Sequence, residues 1–547
     1  MKRRYIRLFL FNCLIVISLN GIAQEEVKPV RNAVLLSGNF GELRATHFHS
    51  GIDIRTGGVI GWPVICVKDG MLARVNVSPT GYGQALYVEH PDGTTTVYGH
   101  LDRFVPVIAK QVRELQYRRE SFRIDEDFRP YQLYFKQGDT IAYSGNTGSS
   151  GGPHLHFEVR NTVTEHTLNP LLFYSIRDTR APVVRKLYLY AVAENGCVDL
   201  LRERALKAAG AGRYVVGRTT VPAGKVGIGL HVNDYMDDSW NRLGVYRMTL
   251  TADGDTLWNL KMDSCSFDQS CFINEVKDFD CYKKRETVYR CFGNYQERFL
   301  GIRNRGGGYI SVPEDSTVRV RVELADINGN RSRVDLELKG GKPRMADSRE
   351  VLRYDEAHSL ELPGCRMELD AGSLFSSVEK KLDIETDSVT GRPVFVLASK
   401  DVPLFKKGRM QVAGRFDPHA VICEIDADGR RIPVETTWTP DGLEARIGYL
   451  NRYTVVEDRE KPQIVCLGKF PGRILRFKIT DDLSGIALYR GEVNGKWCLF
   501  TYDPRTDVLE CSLDEPVFER GQVNEVKIMV SDRTGNEEEL LVLVKGL

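Results

Sequence analysis

From Val34 to Tyr174 the chain consists of short runs of alternating apolar and polar residues broken at glycine. A period of two buries one face of an extended chain and leaves the other free, so β-hairpins are the structure this segment can form. Ala85-Leu86-Tyr87-Val88-Glu89-His90, Pro91-Asp92-Gly93 and Thr94-Thr95-Thr96-Val97-Tyr98 read as strand, turn and strand. One segment departs from this period. Val105, Ile108, Val112 and Leu115 recur at separations of three, four and three within a stretch rich in arginine and glutamate, which predicts an inserted amphipathic helix over about 106–119.

Strand patterning continues past residue 180 and repeats itself. Val320-Arg321-Val322-Glu323-Leu324-Ala325-Asp326-Ile327-Asn328-Gly329-Asn330 echoes Val526-Lys527-Ile528-Met529-Val530-Ser531-Asp532-Arg533-Thr534-Gly535-Asn536, each an alternating strand running into an Asp-x-x-Gly-Asn turn. Leu230-His231-Val232-Asn233-Asp234 has a similar counterpart in Phe477-Lys478-Ile479-Thr480-Asp481. Two related β-sandwich modules are expected, resembling immunoglobulin or fibronectin type III domains. The 547 residues suit three to four domains. The expected division is a domain over 24–178 with a helical insertion at about 102–136, sandwich modules over 179–340 and 459–547, and a third β-rich module over 345–458 between them.

Lys2, Arg3, Arg4 and Arg7, the apolar run Leu8 to Leu19 and the small residues at Gly21-Ile22-Ala23 read as a secretion signal over 1–23, with the mature chain starting near Gln24. The apolar run is too short to span a membrane. Cys13 lies after Phe11-Asn12, without the small residues of a lipid-attachment site. Removing the signal takes away four basic residues and leaves a net charge of −3, which offers nothing to nucleic acid. Export, with the periplasm as destination, is the expectation. Oxidising conditions would pair Cys265, Cys271, Cys281 and Cys291 in two disulfides, since their spacing fits no zinc motif.

Seven of the ten histidines lie within residues 47–166. An excess confined to one domain points to a metal or acid/base site there. In extended geometry His49, Gly51, Asp53 and Arg55 share one strand face, and His154, His156 and Glu158 share another, with Leu155, Phe157 and Val159 opposite. His100 shares a face with Tyr98.

His49-Ser50-Gly51-Ile52-Asp53, Tyr98-Gly99-His100-Leu101 and Gly145 through His154-Leu155-His156-Phe157-Glu158-Val159-Arg160 resemble the successive signatures of the lysostaphin-type zinc endopeptidases, which cleave peptides of peptidoglycan. The resemblance covers roughly residues 35–174. It implies an antiparallel β domain of the duplicated hybrid type, one zinc ion bound by His49, Asp53 and His156, and His100 and His154 as catalytic histidines. The chain has no H-E-x-x-H, so a histidine must serve as base. His154 is expected to take the proton of the attacking water and pass it to the leaving amine, while His100 donates to the developing oxyanion.

Glu158 and Arg160 are expected on the strand surface, with a supporting role for the metal ligands as the alternative. His47 is placed at the rim, and His90 and His166 are expected to be structural. The loop Gly145 to Gly152 lacks the lysine of a phosphate loop and should let backbone approach a substrate groove. The insertion after His100 either walls that groove or packs outside it. A catalytically silent relative that binds peptidoglycan or activates a hydrolase is the competing reading. The C-terminal β modules are candidates for contact with a protein partner.

Overall fold

The structure, a computed structural model, describes residues 27–545 apart from 33, 295–300, 346, 389 and 471–472. The secretion signal at 1–23, Cys13 and Gln24 lie outside the described residues. The chain is mostly β, with an antiparallel N-terminal domain followed by three sandwich-like modules.

The N-terminal elements are β1 (Leu36–Gly38), β2 (Ile52–Arg55), β3 (Pro63–Ile65), β4 (Gly70–Val77), β5 (Gln84–Glu89), β6 (Thr94–Phe104), α1 (Pro106–Arg119), β7 (Ile124–Asp127), β8 (Tyr134–Phe135), β9 (Thr140–Ser144), β10 (His154–Asn161) and β11 (Thr167–Leu168). The main sheet runs β1-β2-β10-β6-β5-β4-β7. The β5–β6 hairpin turns at Pro91-Asp92-Gly93, where Asp92 Oδ1 accepts from the Thr94 amide at 3.0 Å. Central β10 lies between β2 and β6, with His156 opposite Asp53 on one side and Gly99 on the other. Registry between these three strands therefore gathers the three sequence signatures.

Helix α1 has the bounds expected from its spacing. Pro106 starts it, where a missing N–H costs nothing. Ile108, Val112 and Leu115 are buried in the N-terminal core, each contributing about 1.5–3 kcal/mol. Its polar face carries the last module. Arg113 Nη2 donates to buried Glu515 at 2.6 Å, the Tyr117 hydroxyl donates to the same carboxylate, and Tyr117 packs edge-on against Trp497 at 5.1 Å. Arg490 pairs with Glu120 just past the helix end at 2.7 Å. The insertion is thus a docking platform. Glu515→Ala should lower stability by about 1–3 kcal/mol, the cost of breaking a buried charged hydrogen bond. Faster proteolysis near residues 458–462 would register the release, and an unchanged cleavage pattern would contradict it.

Beyond residue 180, a five-stranded and a seven-stranded sheet build the first module, two five-stranded sheets and a two-stranded one the second, and two four-stranded sheets the third. The first module is not separate in space from the N-terminal domain. Phe40, Leu43 and Phe48 sit in its core, and β11 pairs with Ser264–Cys265. Lys277, fully buried, donates to the carbonyls of Arg44 and Ala45 at 2.9 and 2.6 Å.

The two expected disulfides are absent. Cys265, Cys271, Cys281 and Cys291 are free thiols. Cys265 and Cys291 are packed in the main core of the module, Cys281 belongs to a second apolar cluster and Cys271 is exposed, so burial separates what sequence proximity suggested pairing.

Candidate metal centre

His49, Asp53 and His156 converge, buried, at the junction of β2 and β10. Asp53 Oδ1 lies 3.0 Å from His49 Nε2 and 2.9 Å from His156 Nδ1, and the two nitrogens are 3.2 Å apart. The remaining nitrogen of each ring is already engaged. His49 Nδ1 donates to the Asn39 carbonyl at 2.8 Å, and His156 Nε2 donates to Glu158 Oε1 at 2.9 Å. With both rings neutral, two lone pairs and a carboxylate oxygen face one another, an arrangement that only positive charge can stabilise. Asp53 Oδ2 is taken by Arg44 Nη2 at 2.9 Å.

A proton can serve as that charge in the metal-free protein. Burial pushes the His156 imidazole down, but its hydrogen bonds to Asp53 and Glu158 and their charges outweigh this and bring it up to about 9. Burial likewise opposes ionisation of Asp53, and the neighbouring His49, His154 and His156 still hold its carboxyl well below the usual range. Because His156 is raised in the folded state, its contribution to stability is complete below the ordinary histidine value near 6.5 and is lost as pH rises through about 9. Thermal melts in chelator should therefore fall between pH 6.5 and 9 through this group. A His156→Gln variant should lack that decline, and an identical decline in the variant would refute the assignment.

His154 and His100 flank the cluster. His154 Nδ1 donates to the Gly152 carbonyl at 2.7 Å, which turns Nε2 inward, 3.4 Å from Asp53 Oδ1. The His100 ring stands 4.8 Å from that of His154 and donates from Nδ1 to the Thr147 carbonyl at 2.8 Å. Its backbone is left-handed, φ +57°, a cost that the surrounding sheet must cover and that aims the ring at this position. Burial, then the charges of His156 and His154, push the His100 imidazole down to about 3. Neutral and bonded through Nδ1–H, His100 presents an acceptor at Nε2.

Glu158 and Arg160 are not surface residues. Both are buried, and Glu158 joins His156, Arg160 Nε at 2.7 Å, the Tyr82 hydroxyl at 2.6 Å and the Ser50 hydroxyl at 2.5 Å. Phe267 of the first module covers Arg160, its ring 4.6 Å from the guanidinium. The face that alternation left open is closed by a neighbour distant in sequence. Glu158 was findable from its shared face with His156; Arg44, Asn39 and Tyr82 had no signal in the sequence.

His47 is exposed and outside the cluster, and His90 is held between the Asp69 carbonyl and Thr96. The glycine loop serves packing. A Cβ on Gly148, φ +72°, would meet the Gly83 nitrogen at 2.3 Å, and one on Gly145 would meet the Asp102 nitrogen at 2.3 Å. Gly151 and Gly152 do leave open space. Arg505 of the last module, braced by Asp503, donates to the Ser150 carbonyl at 3.0 Å, so this module touches the loop that leads to His154.

The Peptidase family M23 profile matches residues 47–115, which hold His49, Asp53 and His100. The chain is 29% identical over 129 residues to the DD-carboxypeptidase/endopeptidase Mpg of Neisseria meningitidis serogroup B, covering 24% of this chain and 23% of that protein. It is 33% identical over 111 residues to the peptidoglycan DD-endopeptidase ShyB of Vibrio cholerae, covering 20% of each. The chain thus spans about a fifth of the length of these curated relatives. The lysostaphin catalytic domain of Staphylococcus simulans aligns at 24% identity over 25% of this chain and 87% of that one, with a TM-score of 0.19. Residues 47–115 of the N-terminal domain thus match peptidase family M23, and the domain resembles the lysostaphin-type metallopeptidases.

Proposed function

We propose that this chain is an exported, zinc-dependent endopeptidase that hydrolyses peptide stems or cross-links of peptidoglycan. The observation that carries the reading is the convergence of His49 Nε2, Asp53 Oδ1 and His156 Nδ1 within 3.2 Å, each ring held through its other nitrogen. Two imidazoles and one carboxylate are a zinc donor set, and three protein ligands leave a position open as catalytic sites require. When bound, zinc supplies a Lewis-acid charge that makes water a nucleophile near neutral pH. The name of the Vibrio cholerae relative, a peptidoglycan DD-endopeptidase, supports the substrate class.

His154 is the general base. Its inward Nε2 takes the proton of the attacking water and returns it to the leaving amine. His100, beside His154, is the residue that would donate to the developing oxyanion, in the form that carries its ring proton on Nε2. Glu158 fixes the tautomer of His156, and Asn39 fixes that of His49.

Purified peptidoglycan digested with the exported form of the chain, with and without chelator, tests this. Metal-dependent release of peptide fragments, identified by mass, is expected. Binding to the polymer without release, by a folded and metal-loaded protein, would leave the silent reading in its place.

A further inference from the structure

The connection between the N-terminal domain and the first β module closes over three carboxylates that the peptidase chemistry does not use. Asp178 lies in the connecting segment, Asp234 directly follows the strand Gly224–Asn233, and Asp326 follows the strand Thr317–Ala325. One oxygen from each lies within 4.8 Å of the others. All three border a cavity of about 30 Å³, which Asn39, Phe40 and Met236 also line. That is the volume of a single water-sized occupant.

Asp234 is 4% exposed, and its Oδ1 has no hydrogen-bond partner among the described residues. A buried carboxylate oxygen in that state is costly unless a cation faces it. Arg180 is nearby, but its Nη1 donates to the Met236 and Ser239 carbonyls at 3.1 and 2.9 Å. The other two carboxylates are held in place from behind. Asp178 Oδ1 accepts from the amides of Arg180 and Asp237, and Asp326 accepts from the Asn330 amide and side chain. Burial, reinforced by the charges of Asp326 and Asp178, pushes the Asp234 carboxyl well above its ordinary value. Three carboxylates this close cannot all ionise without a counter-charge.

The same arrangement occurs a second time. Asp458, Asp481 and Asp532 also bring one oxygen each within 4.8 Å, and Asp481 Oδ1 is buried without a partner among the described residues. Asn330 Nδ2 donates to the Asp178 carbonyl and to Asp326 Oδ2, at 3.0 and 2.6 Å. Asn536 Nδ2 donates to the Asp458 carbonyl and to Asp532 Oδ2, both at 2.7 Å. The leading aspartates share a local pattern, Asp178-Thr-Arg-Ala-Pro182 and Asp458-Arg-Glu-Lys-Pro462. Two related modules thus hold the same three carboxylates and the same bracing asparagine at their entry.

We propose that Asp178, Asp234 and Asp326 bind a calcium ion at the junction between the peptidase domain and the first β module. The donors are all oxygens and mostly anionic, with no nitrogen or sulfur among them, which selects a hard cation. Carboxylates drawn from three separate segments suit the adaptable coordination of calcium better than the strict octahedron of magnesium. The ion ties the connecting segment to two turns of the module. Asn39 carries that order onward, since its side chain is paired with the Gly244 backbone at 2.8 and 2.7 Å and its carbonyl holds His49.

Equilibrium dialysis of the full chain against radioactive calcium, with micromolar zinc throughout, tests the site. Calcium should bind with a Kd of about 0.1–1 mM or tighter, as in extracellular modules. Asp234→Asn should lose one equivalent per chain, and calcium should raise the melting temperature of the native chain more than that of the variant. No binding at several millimolar calcium, equal stoichiometry in Asp234→Asn, or displacement by equimolar magnesium would overturn the proposal. If Asp234→Asn does not fold, Asp178→Asn, on the connecting segment, answers the same question, and the native titration alone can still refute the site.

Discussion

His154→Ala is expected to abolish peptide hydrolysis while leaving metal content close to that of the native chain. His154 Nε2 faces Asp53 Oδ1 at 3.4 Å, but the three closer donors belong to His49, Asp53 and His156. Its Nδ1–H is anchored on the Gly152 carbonyl, so the inward nitrogen is available as a base without tautomer exchange. Loss of a general base costs about 10²–10⁴ in rate. Elemental analysis alongside fragment release separates the possibilities. A variant that loses its metal would make His154 a ligand and reverse the division of roles; a variant that keeps more than a tenth of native turnover would remove it from proton transfer.

Glu158→Ala should be the most destabilising single substitution in the N-terminal domain. The carboxylate is completely buried. Burial opposes its ionisation, yet the Arg160 guanidinium and the hydrogen bond from His156 hold it far below the usual carboxylate range. Removing it leaves buried Arg160, beneath Phe267, with Glu165 at 3.7 Å as its remaining carboxylate partner, at a cost of about 3–5 kcal/mol. It also frees the His156 ring, for which a loss of about 10–100-fold in metal affinity is expected. Denaturant midpoints and chelator competition measure the two effects independently. Unchanged stability would mean that Arg160 finds another partner, and unchanged affinity would mean that strand pairing alone orients His156.

The parts of the site that can be read in the sequence are those fixed by strand periodicity. Asp53 on β2 and His154 and His156 on β10 project as a period of two requires, whereas His49 precedes β2 and its ring is held by the Asn39 carbonyl. Helix α1 was equally legible, because three buried aliphatics on one face determine its register. The open face assigned to Glu158 and Arg160 was not correct, because alternation reveals which residues point away from one core and says nothing of a second core arriving from elsewhere. The disulfides expected of Cys265, Cys271, Cys281 and Cys291 failed for a related reason, since Cys281 sits in a different apolar cluster from Cys265 and Cys291 and Cys271 is exposed.

By itself the sequence determined a β-rich chain, an inserted helix, a duplicated Asp-x-x-Gly-Asn turn and a set of histidines and one aspartate matching the lysostaphin-type signatures. Only the tertiary structure decided that Phe40, Leu43 and Phe48 anchor the His49 segment in the first β module, that Glu158 locks His156, and that α1 carries the last module. The physical reason is range. Periodicity reports the local choice between helix and strand, whereas the pairing of a buried charge depends on which distant surface excludes water from it.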